Sequence, residues 1–333
     1  MDPTLAPRMH PAAEYILTHR IPCAVLAVLM FSMAWWLPVL LRDMPLLAWI
    51  VAVMAIGIHL LTPGLFALIA MGGGAGYALQ VAALAAVGVG AAAGMQLVPG
   101  LAMLLMYGAL PTVAATSLQR PNGLVRSGRN LAIGLSLAVL VGLLAGASAA
   151  HMDMRGYIDH LLAPVFDSAK AQLPAQAPDA LTALAEFRRT SVWILPGSLA
   201  LGLWLIWWGN ILLARSLARR YGFFRGDHAP VLDIRFGRGV AYVFILAVAV
   251  ANVAGGNIQY TAVAVAILGS GMLGLQGVAV AHSWLKWRQQ PWMIVIMYML
   301  LAMWSVLAIP FVLLGLMDVW FDYRRHMTSA DGG

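Results

Sequence analysis

The stretch MPLLAWIVAVMAIGIHLLTPGLFALIAMGGGAGYALQVAALAAVGVGAAAGMQLVPGLAMLLMYGALPTVAATSLQ, residues 44–119, contains no Asp, Glu, Lys or Arg. Globular soluble proteins carry about 25% charged residues, so a soluble domain rarely contains so long an uncharged run. A membrane-spanning helix needs about 20 mostly apolar residues. The stretch is therefore long enough for three spans, and it predicts that the protein lies in a lipid bilayer.

The rest of the chain has the same character. Its 333 residues are 62% hydrophobic and 10% charged, and two further charge-free runs follow Arg238 and Arg288. We predict an all-α fold: a polytopic transmembrane helical bundle of eight or nine spans, without a soluble domain, in a bacterial cytoplasmic (inner) membrane. The nine predicted spans are 21–41, 45–62, 64–94, 98–117, 129–150, 191–214, 239–255, 258–284 and 291–317.

Glycines make the third predicted span ambiguous. It contains GGGAG (72–76) and VGVGAAAG (87–94). Small residues allow membrane helices to pack closely, and glycine also permits a broken helix. Residues 64–94 therefore form either one long bent span or two short ones. The glycines either pack against neighbouring helices or line a solute path.

The distribution of arginine predicts the orientation in the membrane. The connection 215–238 holds six arginines and two aspartates, which places it on the cytoplasmic side by the positive-inside rule. The mixed-charge segment 151–190 lies outside, with an amphipathic surface helix at 178–189. Nine spans put the C-terminus outside and eight put it inside. The predicted segments are a cytoplasmic N-terminal tail (1–20), a first group of about five spans (21–150), the outer loop (151–190), a second group of about four spans (191–326) and a flexible tail (327–333).

Motifs for catalysis are missing from the sequence. It has no HExxH, no Cys/His metal spacing, no GxSxG and no GxxxxGK[ST]. The single Cys23 rules out an internal disulfide, and the net charge of +7 reflects the arginine-rich loops rather than nucleic-acid binding. We predict no catalytic residue, no metal and no cofactor. Any ATP coupling would come from a partner protein.

Polar side chains inside the predicted spans are the candidate contacts. His59 lies near the end of its predicted span and is either hydrogen-bonded to a neighbouring carbonyl or a proton carrier. Asn210 needs a hydrogen-bond partner in hydrocarbon, Asn257 follows a glycine pair, and Gln276 and His282 share one helix face.

The closing stretch GLMDVWFDYRRHM, residues 315–327, places charges at helical spacing. Asp322 and Arg325 are three residues apart, with the acid first, which is the favourable order on a helix. We predict that the last helix continues by about two turns, held by Asp318, Asp322 and Arg325. This cap either anchors the helix or docks a partner or gates a path. The candidate solute or partner contacts are Asn210, Asn257, Gln276, His282, Asp318, Trp320, Asp322, Arg324 and Arg325.

Four stretches in order resemble one family. They are LMYGALPTVAATSLQR (105–120), LPGSLALGLWLIWWGNILLARSLARRYGFF (195–224), LQGVAVAHSWLK (275–286) and GLMDVWFDYRR (315–325). They look like the YybS-like family of predicted bacterial membrane proteins, a domain of unknown function, and the resemblance covers roughly residues 20–326.

A more distant similarity is to the substrate-binding subunits of energy-coupling-factor transporters. Those subunits are helical bundles that bind a small solute near the outer face and rely on separate ATPases and a coupling protein. The resemblance implies that Trp, Asn and Gln side chains bind the solute. The present chain has more spans than those subunits.

The sequence thus favours a non-enzymatic function. Our first interpretation is a transport-type, solute-binding membrane subunit without its own energy source. The alternative is a membrane scaffold or assembly partner in envelope biogenesis or cell division. The partners predicted are the lipid bilayer and either a separate ATPase or coupling protein or an envelope protein, with no nucleic acid.

Overall fold

A computed structural model describes residues 9–41, 43–174, 178–226 and 228–328. Within these residues every regular element is helical, as predicted. A seven-residue π-helical segment, Met103–Ala109, joins α4 to α5. The helices are α1 Pro11–Thr18, α2 Arg20–Leu40, α3 Pro45–Ala92, α4 Leu97–Ala102, α5 Leu110–Leu118, α6 Gly123–Ala149, α7 Met154–Gln172, α8 Pro178–Arg220, α9 Arg238–Val253, α10 Gly256–Trp287, α11 Pro291–Met303, α12 Ala308–Phe321 and α13 Tyr323–Thr328.

Six helices of the described residues are long and apolar enough to cross a membrane, when α4, the π-helical segment and α5 are counted as one helix, Leu97–Leu118. The number rises to seven if α11 and α12, which are bent by 117° at their junction, count as one broken span. The predicted count of eight or nine spans is not confirmed. The number six treats α3 as a single helix, although its 48 residues would extend about 72 Å if straight.

The second half of α3 runs parallel to α2. Tyr77 donates a hydrogen bond from its hydroxyl to the carbonyl of Leu17, at 2.9 Å. Leu17 is in α1, three residues before α2 begins. Eleven residues further along both segments, Gly88 packs closely against Val28. A Cβ at Gly88 would lie 2.7 Å from Val28 Cγ2. The two contacts advance together, so both segments point the same way.

The first half of α3 must therefore run in the opposite direction. His59 bonds to the carbonyl of Phe31, which is less than one turn beyond Val28. Residues 59 and 88 thus lie at about the same level along α2, and the chain reverses between them. The reversal is at Gly74, whose φ of 83° and ψ of 168° are not helical and are accessible to glycine because it lacks a Cβ. Residues 45–73 and 75–92 are two antiparallel segments.

The break in α3 lies at Gly74, whereas the predicted boundary between the second and third spans lies at Pro63. Pro63 lies inside the helix, although the second predicted span ended just before it. Membrane helices tolerate proline because neighbouring groups satisfy the freed carbonyl. The GGGAG run supplies the break instead.

Other boundaries also differ from the prediction. The predicted surface helix 178–189 and the predicted span 191–214 form one helix, α8. The predicted last span, 291–317, is broken at Trp304. The segment 151–190, predicted to be the outer loop, contains the additional helix α7. The first turn of α7 is capped by the Asp153 side chain, which accepts from Gly156 N at 2.9 Å.

The chain divides into two compact units. Unit 1 comprises Met1–Leu135 and Leu203–His228, and unit 2 comprises Ser136–Gly202 and Ala229–Gly333. The core of unit 1 includes the fully buried rings of Phe66, Trp204 and Trp207. One core cluster of unit 2 is built from Ala147, Met154, Ile158, Val192 and Tyr260.

Candidate functional site: a buried charge cluster and a glycine-lined pocket

The last membrane helix ends earlier than its sequence predicts. α12 stops at Phe321, because Asp322 adopts the left-handed conformation, with φ 46° and ψ 56°. Aspartate is among the few residues that tolerate this region. The backbone N–H of Tyr323, directly after this turn, donates to the Asp318 carboxylate at 3.1 Å. The predicted continuous two-turn extension is therefore wrong, and the chain turns before α13 begins.

This turn builds a buried group of polar side chains in unit 2, here called the Asp318 cluster (Gln276, Asp318 and Arg324). Asp318 Oδ2 accepts from Gln276 Nε2 at 2.9 Å and from Arg324 Nη2 at 3.0 Å. The side chains of Arg324 and Asp318 are only 7% and 1% exposed. Three of the predicted site residues therefore meet, from α10, α12 and α13.

The Asp318 cluster also holds the segment that precedes α9. Arg324 donates to the carbonyls of Leu232, at 2.6 Å, and Ile234, at 2.8 Å. Gln276 Oε1 accepts from Phe236 N at 2.9 Å. The C-terminal segment is thus fixed to the end of the connection 215–238, which the sequence predicts to be cytoplasmic.

A second, more exposed ion pair lies beside the cluster. Asp322 Oδ1 and Arg235 Nη1 are 2.7 Å apart, with side chains 38% and 48% exposed. In the predicted set of Asp318, Asp322 and Arg325, the two aspartates pair with Arg324 and Arg235. Arg325 is exposed, and its backbone N donates to the carbonyl of Asp322.

A cavity of about 970 Å³, the Gly72 pocket, lies in unit 1 where α3 reverses. Its walls include Gly72, Gly73 and Tyr77 from α3, Glu14 from α1 and Phe223 from the segment after α8. The ring of Phe223 is in van der Waals distance of Gly72, since a Cβ there would lie 3.4 Å from its Cδ2. Bare backbone and aromatic rings therefore form much of the wall.

Backbone groups at the reversal need partners outside the helix, because a break interrupts the hydrogen-bond ladder. Gln119 supplies one of these partners: its Nε2 donates to the carbonyl of Met71 at 3.0 Å. This amide, from the end of α5, stabilises the broken end of the first half of α3 beside the pocket.

Two other predicted site residues bond to backbone within their own unit. Asn210 donates to the carbonyl of Leu60 and joins α8 to α3. Asn257, which is exposed, accepts from Met154 N at 3.2 Å. Neither lies among the residues that line the Gly72 pocket.

The last two predicted residues contact aromatic rings. His282 Nδ1 lies 3.1 Å from the Tyr298 hydroxyl. Trp320 packs edge-on against Tyr242, with ring centroids 6.1 Å apart. The roles of the predicted residues as solute or partner contacts stay predictions.

Several residues of the two sites were not predicted. Glu14, Tyr77 and Phe223 come from three separate segments, and only the GGGAG run gave a local signal for the pocket. No sequence pattern could identify the carbonyls of Leu232 and Ile234 as partners, because every residue has a carbonyl. In the described part of the chain, no group of three or more His, Cys, Asp or Glu side chains could hold a metal ion.

Long apolar helices, a helix reversal at glycine and a buried ion pair define a multi-pass membrane protein with an internal polar cluster. The chain belongs to the family described as "Predicted membrane protein (DUF2232)", whose model matches residues 44–319. A comparison with curated proteins gave no match, and a comparison with solved structures gave none. The resemblance to the YybS-like family and to energy-coupling-factor subunits is not confirmed, nor is the bacterial inner membrane.

Proposed function

We propose that the chain is a transport-type membrane subunit that binds a small solute in the Gly72 pocket and has no energy source of its own. The observation that carries the proposal is the cavity of about 970 Å³ at a broken apolar helix. Ligand sites typically have volumes of about 300–1,000 Å³. Solute sites in many transporters are built where membrane helices are interrupted.

The chemistry of the wall suits a solute with an apolar body and a few polar groups. Tyr77 and Phe223 offer ring faces, and Gly72 and Gly73 let the solute approach the backbone closely. Glu14 contributes a carboxylate at the side formed by α1. A few polar groups on an apolar wall fix the orientation of a ligand.

The position of the pocket favours exchange with the cytoplasm. It lies beside the end of α1, at Leu17 and Thr18, and beside Tyr221 and Phe223. Residues 221 and 223 belong to the connection 215–238, which the sequence predicts to be cytoplasmic. This site differs from the outer-face site that the distant resemblance implied, and it corresponds to an inward-facing conformation.

The buried charges favour the transport interpretation over the scaffold interpretation. A docking surface needs accessible groups, whereas Asp318 and Arg324 are buried and bonded to the chain itself. The sequence contains no nucleotide motif, so we propose that a separate ATPase or coupling protein provides the energy.

A ligand screen on purified protein in mild detergent tests the proposal. A panel of water-soluble vitamins, amines and nucleosides is added, and the thermal unfolding midpoint is measured. A ligand at 100 times its Kd stabilises the folded state by about 2.7 kcal/mol.

Two leucine variants in α3 show whether a hit binds in the pocket. Gly72→Leu fills the pocket beside Phe223, and Gly57→Leu is the matched control, since a Cβ there meets nothing within 4 Å. A hit that stabilises the wild type and Gly57→Leu but not Gly72→Leu supports the proposal. Equal stabilisation of all three proteins by every hit contradicts it.

A further inference from the structure

His59 lies at the middle of a membrane-length helical segment. It follows Pro45 by 14 residues and precedes Gly73 by 14, so it is about 21 Å from each end. The sequence placed it near the end of a span because Pro63 was taken as a boundary. Ionisable side chains at this depth are rare and usually functional.

The partners of His59 are equally central. Phe31 follows the start of α2 by 11 residues and precedes its end by nine. Tyr107 follows Leu97 by 10 residues and precedes Leu118 by 11. All three groups therefore lie near the same depth of unit 1.

Hydrogen bonds fix the tautomer of the neutral imidazole. His59 Nδ1 is 2.8 Å from the carbonyl oxygen of Phe31. A carbonyl oxygen only accepts, so Nδ1 carries the proton and donates. Nε2 is then unprotonated, and it accepts from the Tyr107 hydroxyl at 2.8 Å. Neutral His59 is fully bonded.

Tyr107 links His59 to α8, and it lies in an unusual backbone segment. It belongs to the π-helical segment Met103–Ala109, and π-helical turns occur often at functional sites. Its ring centroid is 5.1 Å from that of His59 and 5.1 Å from that of Trp207 in α8. A change at His59 therefore reaches α8 through one side chain.

A second cavity, of about 250 Å³, extends from the ends of the helices towards this site. Its wall includes Val39 and Ala92, at the ends of α2 and α3, and reaches Phe31 at mid-helix. The ring of Phe31 is 4.9 Å from that of His59. Phe31 thus lines this cavity and contacts the His59 ring.

The charged neighbours of the site are few. Of the elements packed against His59, the π-helical segment contributes the titratable Tyr107. In α2 the nearest titratable side chain is Cys23, eight residues before Phe31, and in α8 it is Arg215, eight residues after Trp207. Within α3 the segments carry no Asp, Glu, Lys or Arg.

We infer that His59 is a proton-binding site whose charge state sets the orientation of the Tyr107 hydroxyl. When Nε2 takes a proton from water, both ring nitrogens become donors. Nε2–H then donates to the Tyr107 oxygen, and the Tyr107 O–H must turn away from the imidazole. Loss of the proton to water reverses the change. This site is separate from the Gly72 pocket and does not depend on the proposed function.

Nuclear magnetic resonance of the full chain in detergent tests the inference. The protein is labelled with ¹⁵N in the histidine rings and with ¹³C at tyrosine Cζ, and spectra are recorded from pH 8 to pH 5. His59→Gln identifies the His59 signals and Tyr107→Phe identifies the Tyr107 signal. If His59→Gln does not fold, the histidine signal altered by Tyr107→Phe identifies His59.

The expected result has two parts. At pH 8 His59 shows the Nδ1–H tautomer, and on acidification Nε2 becomes protonated while the Tyr107 Cζ signal shifts with the same midpoint. His282, which faces Tyr298, is the internal control, and its titration leaves the Tyr107 signal unchanged. A His59 ring that stays neutral down to pH 5 overturns the inference, as does a titration that leaves the Tyr107 signal unmoved.

Discussion

Arg324 Nη2 and Asp318 Oδ2 lie 3.0 Å apart in side chains that are almost completely buried. Hydrogen bonds to the other atoms of a buried ion pair offset part of the cost of removing its charges from water. Here Gln276 and the backbone N–H of Tyr323 donate to the carboxylate, and the carbonyls of Leu232 and Ile234 accept from the guanidinium. The pair therefore fastens the end of α12 to the segment before α9.

Asp318→Asn is expected to destabilise unit 2 far more than Asp322→Asn. The first change leaves the buried Arg324 without its counter-charge, which typically costs about 3–5 kcal/mol. The second breaks a partly exposed pair with Arg235, worth about 1 kcal/mol or less. Thermal unfolding of the two variants in one detergent makes the comparison. Similar unfolding midpoints for both variants would show that the buried pair contributes no more to stability than the partly exposed pair.

The C-terminus is expected on the same side of the membrane as residues 232–235, because direct contacts cannot cross a bilayer. With the connection 215–238 in the cytoplasm, both lie inside. Cysteines placed at the exposed Asp233 and Arg325 should resist a membrane-impermeant maleimide in intact cells, whereas one at Lys170 in the predicted outer loop should react. Opposite labelling of positions 233 and 325 would refute the shared side.

Gly277→Ala is expected to disturb the packing of α10 on α12. A Cβ at Gly277 would overlap the carbonyl of Phe311, and close backbone approach of this kind is typical of membrane helix pairs. Overpacking usually costs about 1–3 kcal/mol. Gly274→Ala, one turn earlier, is the control, because its Cβ would meet only the Val312 methyl at 3.3 Å. The unfolding midpoint should fall for Gly277→Ala and hardly change for Gly274→Ala; the reverse order would contradict the observed helix contact.

The pair of Asp159 and Arg188 is expected to make unit 2 sensitive to acid. Arg188 Nε donates to Asp159 Oδ1 at 2.7 Å, and this hydrogen bond holds the pKa of the Asp159 carboxyl below its usual range. A lowered pKa stabilises the folded state above the unfolded value of about 3.9, and the contribution is lost as pH falls through the folded value. Wild type should be more stable than Asp159→Asn at pH 7, with the difference shrinking as pH falls below the unfolded value of about 3.9. A difference independent of pH would argue against the ion pair.

The fold was partly predictable because hydrophobicity is a property of local sequence. Charge-free runs identified the apolar helices, and GGGAG identified a breakable segment in α3. The choice between Pro63 and Gly74 as the break depends on tertiary contacts to α1 and α2, such as Tyr77 with Leu17. Residue spacing does not encode such contacts.

The candidate sites show the same limit. Gln276, Asp318 and Arg324 were selected as polar groups in apolar surroundings, and the structure brings them together. Their actual partners depend on the left-handed Asp322, on the Phe236 N–H 40 residues before Gln276, and on two backbone carbonyls 90 and 92 residues before Arg324. The Gly72 pocket gathers residues from α1, α3 and the segment after α8, which no linear pattern connects.

The most direct test of a solute-binding function is the mass of what the protein carries. Wild type, Gly72→Leu and Gly57→Leu are purified in parallel in mild detergent, and native mass spectrometry compares the intact proteins with the molecules they release. We expect the wild type and Gly57→Leu each to release one small non-lipid molecule per protein, and Gly72→Leu to release none. Retention of the same molecule by Gly72→Leu at wild-type occupancy would contradict this expectation.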